Sequence, residues 1–256
     1  MNTGSSNRGI SPMGAVFSSP VVPDELAGIV RANQLASVAT LVPAIMMAQL
    51  ISGAVLLMAF WSSGADQLLG LWATALCFAC GATMLRNVRS KRVQALKTRS
   101  KRSIERMARG SAILGIIWGV VPIIVVPNSD SIGHMALGTI MVAMAFAGCF
   151  LLARIPSAAF GFVLPIMIGY MFGMQIEGNS VYGLLAILSM VYTGMLAVCV
   201  QWSYARYVEQ LLGEAAIKEQ EQVISLLLRD FEETTSDWLW QINEEGAIMK
   251  LSLIHI

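Results

Sequence analysis

Ionisable side chains are missing from six long stretches of this sequence, and their absence decides its class. No Asp, Glu, Lys, Arg or His occurs in residues 41–61, 68–85, 110–127, 135–153, 158–174 or 181–202. Each run approaches the roughly 20 apolar residues that a helix needs to cross about 30 Å of hydrocarbon. Only 13% of the 256 residues are charged and 56% are hydrophobic, whereas soluble domains carry about 25% charged residues. The chain is therefore read as an all-α membrane protein with a six-helix transmembrane region over 41–202. Acids and bases inside a membrane mark proton and ion pathways, so a proton-coupled carrier is disfavoured. Gln49 is the main strongly polar side chain in the spans, and a lone amide suits a helix-to-helix hydrogen bond better than a transport site.

Chemistry-bearing constellations are equally scarce. The sequence holds no phosphate-binding loop and no metal-ligand spacing that would support turnover of a nucleotide. No catalytic residue, no metal site and no cofactor are expected in this chain, no cofactor-binding residue is assigned, and nucleic acid is not expected as a partner. Cys77 and Cys80 form a C-x-x-C, which in a soluble protein suggests a metal or redox pair. Inside a span the apolar surroundings disfavour the thiolate that both chemistries require, so small packing residues are expected there, and Cys149 and Cys199 are read as inert. His134 falls in an outer loop without partners of its own kind and is expected to be a solvated side chain. The 16 Met are read as adaptable filler in helix packing.

What the sequence does have is positive charge in one place. Residues 86–109, RNVRSKRVQALKTRSKRSIERMAR, hold ten Lys or Arg and one acid, Glu105. Cationic loops beside spans resist translocation and stay cytoplasmic. With that loop inside, the N-terminus, the turn at Arg154 and the C-terminus are also inside. The outer loops are then 62–67, 128–134 and 175–180, which contain Asp66, Asp130 and Glu177 but none of the 17 Lys and Arg. Trp61, Tyr182, Trp202 and Tyr204 lie at span ends, as in an interfacial aromatic belt.

Residues 1–22 are rich in Ser, Gly and Pro and lack the charged start and apolar run of a signal peptide, so a disordered tail is expected. Pro23, Asp24 and Glu25 then read as a helix start. A short polar-faced helix through Arg31 and Gln34 completes a cytoplasmic segment over 1–40. Pro43 is placed to kink the first span. Gly115/Gly119 and Gly169/Gly173 are small-xxx-small pairs that let helices approach closely; a dimerisation face and packing within one bundle both fit, and the second is preferred. Leu41-Val-Pro, Val120-Val-Pro and Val163-Leu-Pro form a faint repeat, one copy in each helical hairpin.

Beyond Trp202 the composition turns polar. Residues 203–229 read as a helix leaving the membrane, continuous over 203–228 and about 39 Å long at 1.5 Å per residue. Ile217, Ile224 and Phe231 fall seven apart, with Leu227 and Leu228 between, as in a short coiled-coil seam that would pair two chains. Gly213 and Lys218 interrupt it. A solvated amphipathic helix packing on its own chain is the alternative. Trp238, Trp240 and Ile242 then alternate as on a half-buried strand, and Asn243-Glu-Glu-Gly246 is a turn before a returning strand from Ala247. Two strands alone are marginal in water, so 230–250 is read as the start of a domain.

Residues 226–246, LLLRDFEETTSDWLWQINEEG, resemble the junction at which a signalling helix meets a PAS domain in bacterial cyclic di-GMP signalling proteins. VRANQL before the first span, the basic loop after the second and RIPSAAFGFVLPI at the fifth are similar as well. In that family a six-helix membrane sensor precedes PAS, then a GGDEF diguanylate cyclase domain and often an EAL phosphodiesterase domain. Gln241 stands where an acid is common in the motif. The family's catalytic residues have no counterpart here, so the resemblance implies a truncated protein whose parent makes or degrades cyclic di-GMP. The hexapeptide at 251–256, LSLIHI, resembles the translation of CTG TCT CTT ATA CAC ATC, the end sequence of transposase-based sequencing libraries, and His255 is expected to be foreign to the natural protein. The expectation is a sensory or anchoring input module in the bacterial inner membrane, in contact with the lipid bilayer and homodimeric through its linker helix. Input to a histidine kinase, or a six-helix carrier or pore, are the alternatives.

Overall fold

In hydrocarbon every backbone polar group must be satisfied within its own segment, so apolar runs of this length fold as helices. A computed structural model describes residues 24–61, 64–91, 100–176, 180–234, 239–242 and 248–252. The helices are α1 (Asp24–Phe60), α2 (Asp66–Lys91), α3 (Lys101–Val125), α4 (Ser131–Leu152), α5 (Pro156–Ile176) and α6 (Ser180–Thr234). All six are long and apolar enough to cross a membrane. One 3-10 turn, Val126–Asn128, extends α3. The chain forms two compact units, 1–208 and 209–256.

Helix ends follow local chemistry. Asp130 caps α4, its carboxylate accepting from the Gly133 backbone N–H at 2.9 Å, where a negative charge also meets the positive helix end. Pro156 opens α5, a position where its missing N–H costs nothing, after a tight turn closed by Ile155 N–H donating to the Leu152 carbonyl at 2.8 Å. Gly64, with φ 87°, makes the turn from α1 to α2, a conformation that side chains resist. Pro43, Pro122 and Pro165 lie inside α1, α3 and α5 without ending them. The segment expected as a separate cytoplasmic helix is the first part of α1, continuous with the first span.

The centre of the first unit is the crossing of α3 and α5. A Cβ on Gly115 would meet the Phe162 carbonyl, one on Gly119 the Pro165 carbonyl, and one on Gly169 the Gly119 carbonyl. Gly173 lies against Pro122, where a Cβ would sit 2.7 Å from the proline Cβ. Both glycine pairs thus serve packing within one bundle, the preferred of the two readings. Around this crossing Leu137 and Met141 of α4 and Ile166 and Met174 of α5 are fully buried.

Directed hydrogen bonds tie α1 and α2 to this centre. Trp118 of α3 donates its Nε1–H to Gln49 Oε1 of α1, the helix-to-helix role expected for that amide. Trp72 of α2 donates to the Ile117 carbonyl at 2.7 Å and meets the Trp118 ring edge-on at 5.3 Å. Gly53 on α1 leaves room for Trp72 and Leu76, the nearer atom lying 2.7 Å from where a Cβ would be. Gln34, only 3% exposed, donates to the Arg154 carbonyl at 2.8 Å and fixes α1 to the turn between α4 and α5.

His134 corrects the sequence reading. It is 5% exposed rather than solvated, because α4 starts at Ser131 and its first turn carries the ring inward onto the 3-10 turn. Its Nε2 lies 3.0 Å from the Val126 carbonyl and its Nδ1 2.9 Å from the Tyr182 hydroxyl. A carbonyl only accepts, so Nε2 carries a proton, and in the neutral ring Nδ1 accepts from Tyr182. Tyr182, expected as an interfacial aromatic, also hydrogen-bonds this ring; Trp61 and Trp202 are more than half exposed.

In the second unit β1 (Leu239–Ile242) pairs antiparallel with β2 (Ile248–Ser252), in register Trp240 with Leu251 and Gln241 with Lys250, with a slip after Gln241. Residues 1–23, 62–63, 92–99 of the basic loop, 177–179, 235–238 with Trp238, 243–247 where the turn Asn243 to Gly246 is expected, and 253–256 lie outside the described residues.

Candidate functional site

Small residues that face one another without meeting leave a space. Ala32, Ala36 and Ala39 on α1, Gly110 and Ser111 on α3, and Ala147 and Gly148 on α4 line a cavity of about 710 Å³ within the first unit. That is the size of a small-molecule site, for which about 300–1,000 Å³ is usual. At the α3–α5 crossing small residues bring backbones together, whereas here the opposing helices stay apart.

The walls sort by polarity. Toward the start of α3 and the end of α2 the cavity is lined by Thr83, Arg86, Asn87, Arg89, Ser103 and Arg106. Further in, Val42, Ile45, Met46, Leu114 and Met144 make the wall. Gln49 lines the deep end among apolar side chains, its amide oxygen taken by Trp118. Phe162 lies over Gly148, where a Cβ would strike its ring.

The rim carries one sign of charge. Arg86, Arg89 and Arg106 are exposed, and no Asp or Glu lines the cavity. Arg86 donates its Nε–H to the Ala82 carbonyl at 3.2 Å, a bond that holds its stem along α2. Asn87 is buried and donates to the Ala39 carbonyl at 3.2 Å, joining α2 to α1 beside the rim.

Of the residues weighed from sequence, Gln49 and Asn87's neighbour Arg86 meet at this cavity, while His134 lies apart from it. Cys77 and Cys199 are exposed, Cys80 and Cys149 buried, and all four are free thiols. Among the described residues no three of His, Cys, Asp and Glu come together as a metal site. The cationic rim was missed because residues 86–109 read as one solvated run. A signal was present: Thr83, Arg86 and Asn87, then Ser103, Arg106, Met107 and Gly110, repeat at helical spacing on one face each.

No family model, curated protein or solved structure matches the chain.

Proposed function

We propose that the chain is the membrane-embedded sensory or anchoring input module of a bacterial signal-transduction protein, held in the inner membrane with both termini on the cytoplasmic side. The observation that carries this is α6, an unbroken helix from Ser180 to Thr234. Its first part is an apolar span. Its later part presents Ile217, Ile224 and Phe231 at 58%, 56% and 55% exposure, spaced by sevens, before the strands β1 and β2. A helix that is both span and linker couples events in the bilayer to the strands beyond it. The exposed seam supports pairing of two chains there, because apolar residues repeating by heptads are buried by a second helix. The resemblance at 226–246 supports a PAS domain at the hairpin and cyclic di-GMP synthesis or breakdown as the output of the parent protein. This chain has no residues for that chemistry. A carrier or pore would need a polar lumen, and the cavity is apolar toward Gln49.

The test is an insertion series after Glu219 in the parent protein, read as output activity. Four residues turn everything beyond by about 40° and seven by about 20° in the opposite sense. A single helix discriminates these poorly, while a paired seam keeps register only with whole heptads. Output is expected to change strongly with four residues and to be largely retained with seven. Equal output from both would make the linker a passive tether and overturn the proposal.

A further inference from the structure

We infer that the cavity between α1, α2, α3 and α4 binds one anionic phospholipid, its phosphate held by Arg86, Arg89 and Arg106 and an acyl chain lying along α1 toward Gln49. The inference rests on the reading of the chain as membrane-spanning with its basic loop at the cytoplasmic face. Three observations support it. First, the rim gathers three guanidinium groups with no carboxylate among the lining residues. Guanidinium matches phosphate oxygens in a bidentate fork, and basic pockets between spans on the cytoplasmic side are suited to anionic head groups.

Second, the cavity is graded as an amphiphile is. The charged lining is confined to the rim, and Val42, Met46, Leu114 and Met144 come below it, with Ser111 and Gln49 the polar side chains among them. From Arg106 to Leu114 on α3 is eight residues and from Ala39 to Gln49 on α1 is ten. At 1.5 Å per residue these are about 12 and 15 Å, close to one leaflet of a hydrocarbon core about 30 Å thick. Third, the cavity is bordered by residues exposed on the bundle surface, Ala36, Ala48 and Ala147 among them. At span depth this surface faces lipid, so a lipid reaches the site sideways without crossing water.

The experiment uses the full chain reconstituted in vesicles of phosphatidylcholine with or without phosphatidylglycerol. The protein is re-extracted in a zwitterionic detergent and the retained lipid counted by mass spectrometry. One phosphatidylglycerol per chain is expected, with phosphatidylcholine not retained. Each Arg→Gln change at 86, 89 or 106 is expected to weaken retention about fivefold, and all three together roughly a hundredfold. Ala147→Phe, which sets a ring at the cavity's lipid-facing border and leaves every charge, should abolish retention. Arg102→Gln, an exposed cation of the same basic run outside the lining, should leave it unchanged.

Equal loss with Arg102→Gln would mean diffuse attraction to anionic membrane, and retention surviving in Ala147→Phe would place the lipid elsewhere; either overturns the proposal. Displacement of the lipid by palmitate or by inorganic phosphate at comparable concentration would assign the site to a free amphiphile or a free anion, and also overturns it. A chain that does not float with vesicles at all refutes the membrane reading. Flotation without selective retention refutes only the lipid site.

Discussion

Replacing Gly169 by Ala tests the centre of the bundle with a single methyl group. The added Cβ would overlap the Gly119 carbonyl and lie 2.7 Å from the Gly119 Cα, where carbon atoms prefer about 3.5–4.0 Å. Both contacts are backbone, so no side-chain rotation relieves them and α3 and α5 must part by about 1 Å. A gap of that size forfeits about a quarter to a half of each dispersion contact along the crossing. Overpacking of this kind costs about 1–3 kcal/mol, and the upper end applies where backbone meets backbone. Against it stands about 1 kcal/mol from the better helix propensity of Ala. The net loss is about 2 kcal/mol, about a thirtyfold fall in the ratio of folded to unfolded protein. Gly194→Ala is the control, because a Cβ there meets nothing within 4 Å and only the propensity term applies. The assay is unfolding of the purified chain in mixed micelles with rising dodecyl sulfate, followed by circular dichroism. Gly169→Ala should unfold at lower dodecyl sulfate than the parent chain, and Gly194→Ala at the same or higher. The Gly119→Ala and Gly169→Ala effects should sum to more than their double variant shows, since one separation of the helices relieves both. Identical midpoints for the 169 and 194 variants would refute the crossing. A midpoint for Gly169→Ala that depends on protein concentration would place the contact between chains instead.

Orientation is checked by cysteine accessibility in whole cells, in a chain whose own thiols have been removed: variants at Gly64 and Ser131 should label from the periplasm, and one at Thr98 only after the cells are opened. Labelling of Thr98 from outside would invert the topology. For the pair His134 and Tyr182, His134→Ala and Tyr182→Phe should each destabilise by about 1 kcal/mol or more, because each removes one side of a partly buried hydrogen bond. The double variant should lose less than the sum in the same micelle assay, and simple additivity would show that the two side chains do not interact.

The spans were legible because hydrocarbon imposes a rule that composition alone can meet or fail. Gln49 was legible for the same reason: an amide among apolar residues needs a partner, although only the fold shows that the partner is Trp118. The glycine pairs announced close approach at four-residue spacing, but Gly119 and Gly169 are fifty residues apart and nothing local specifies that they meet. His134 was misread because its burial depends on where α4 starts, and helix boundaries are set by caps such as Asp130 that shift the pattern by one turn. The cavity was invisible for a different reason. Ala36, Ala39, Ala147 and Gly148 look like the small residues that bring helices together, and whether small residues close a gap or leave one is decided by the helices' crossing geometry, which a linear pattern does not encode.

Packing is uneven among the helices, and α6 is the least buried. More than half of the span window in α5 is buried inside the protein, against 17% in α6. Leu184, Ile187, Met190, Val191 and Met195 of α6 are exposed. In water such a face would be driven inward, but lipid tails are as apolar as Leu and supply no such force. What positions α6 in the first unit is a sparse buried stripe, Ala186, Val200 and Val208, together with a few directed contacts. At one end Tyr182 donates to His134 at 2.9 Å, and at the other the Arg154 guanidinium lies 5.0 Å from the centre of the Tyr207 ring. A net hydrogen bond is about 1 kcal/mol and an exposed cation–π contact about 0.5–1 kcal/mol. Their sum is comparable to the roughly 1–3 kcal/mol by which coupled sites communicate. Under the proposed signalling role, a signal of that size acting at either end suffices to break one of the directed contacts that orient α6, whereas the α3–α5 crossing, locked backbone to backbone, stays as the fixed frame against which α6 shifts.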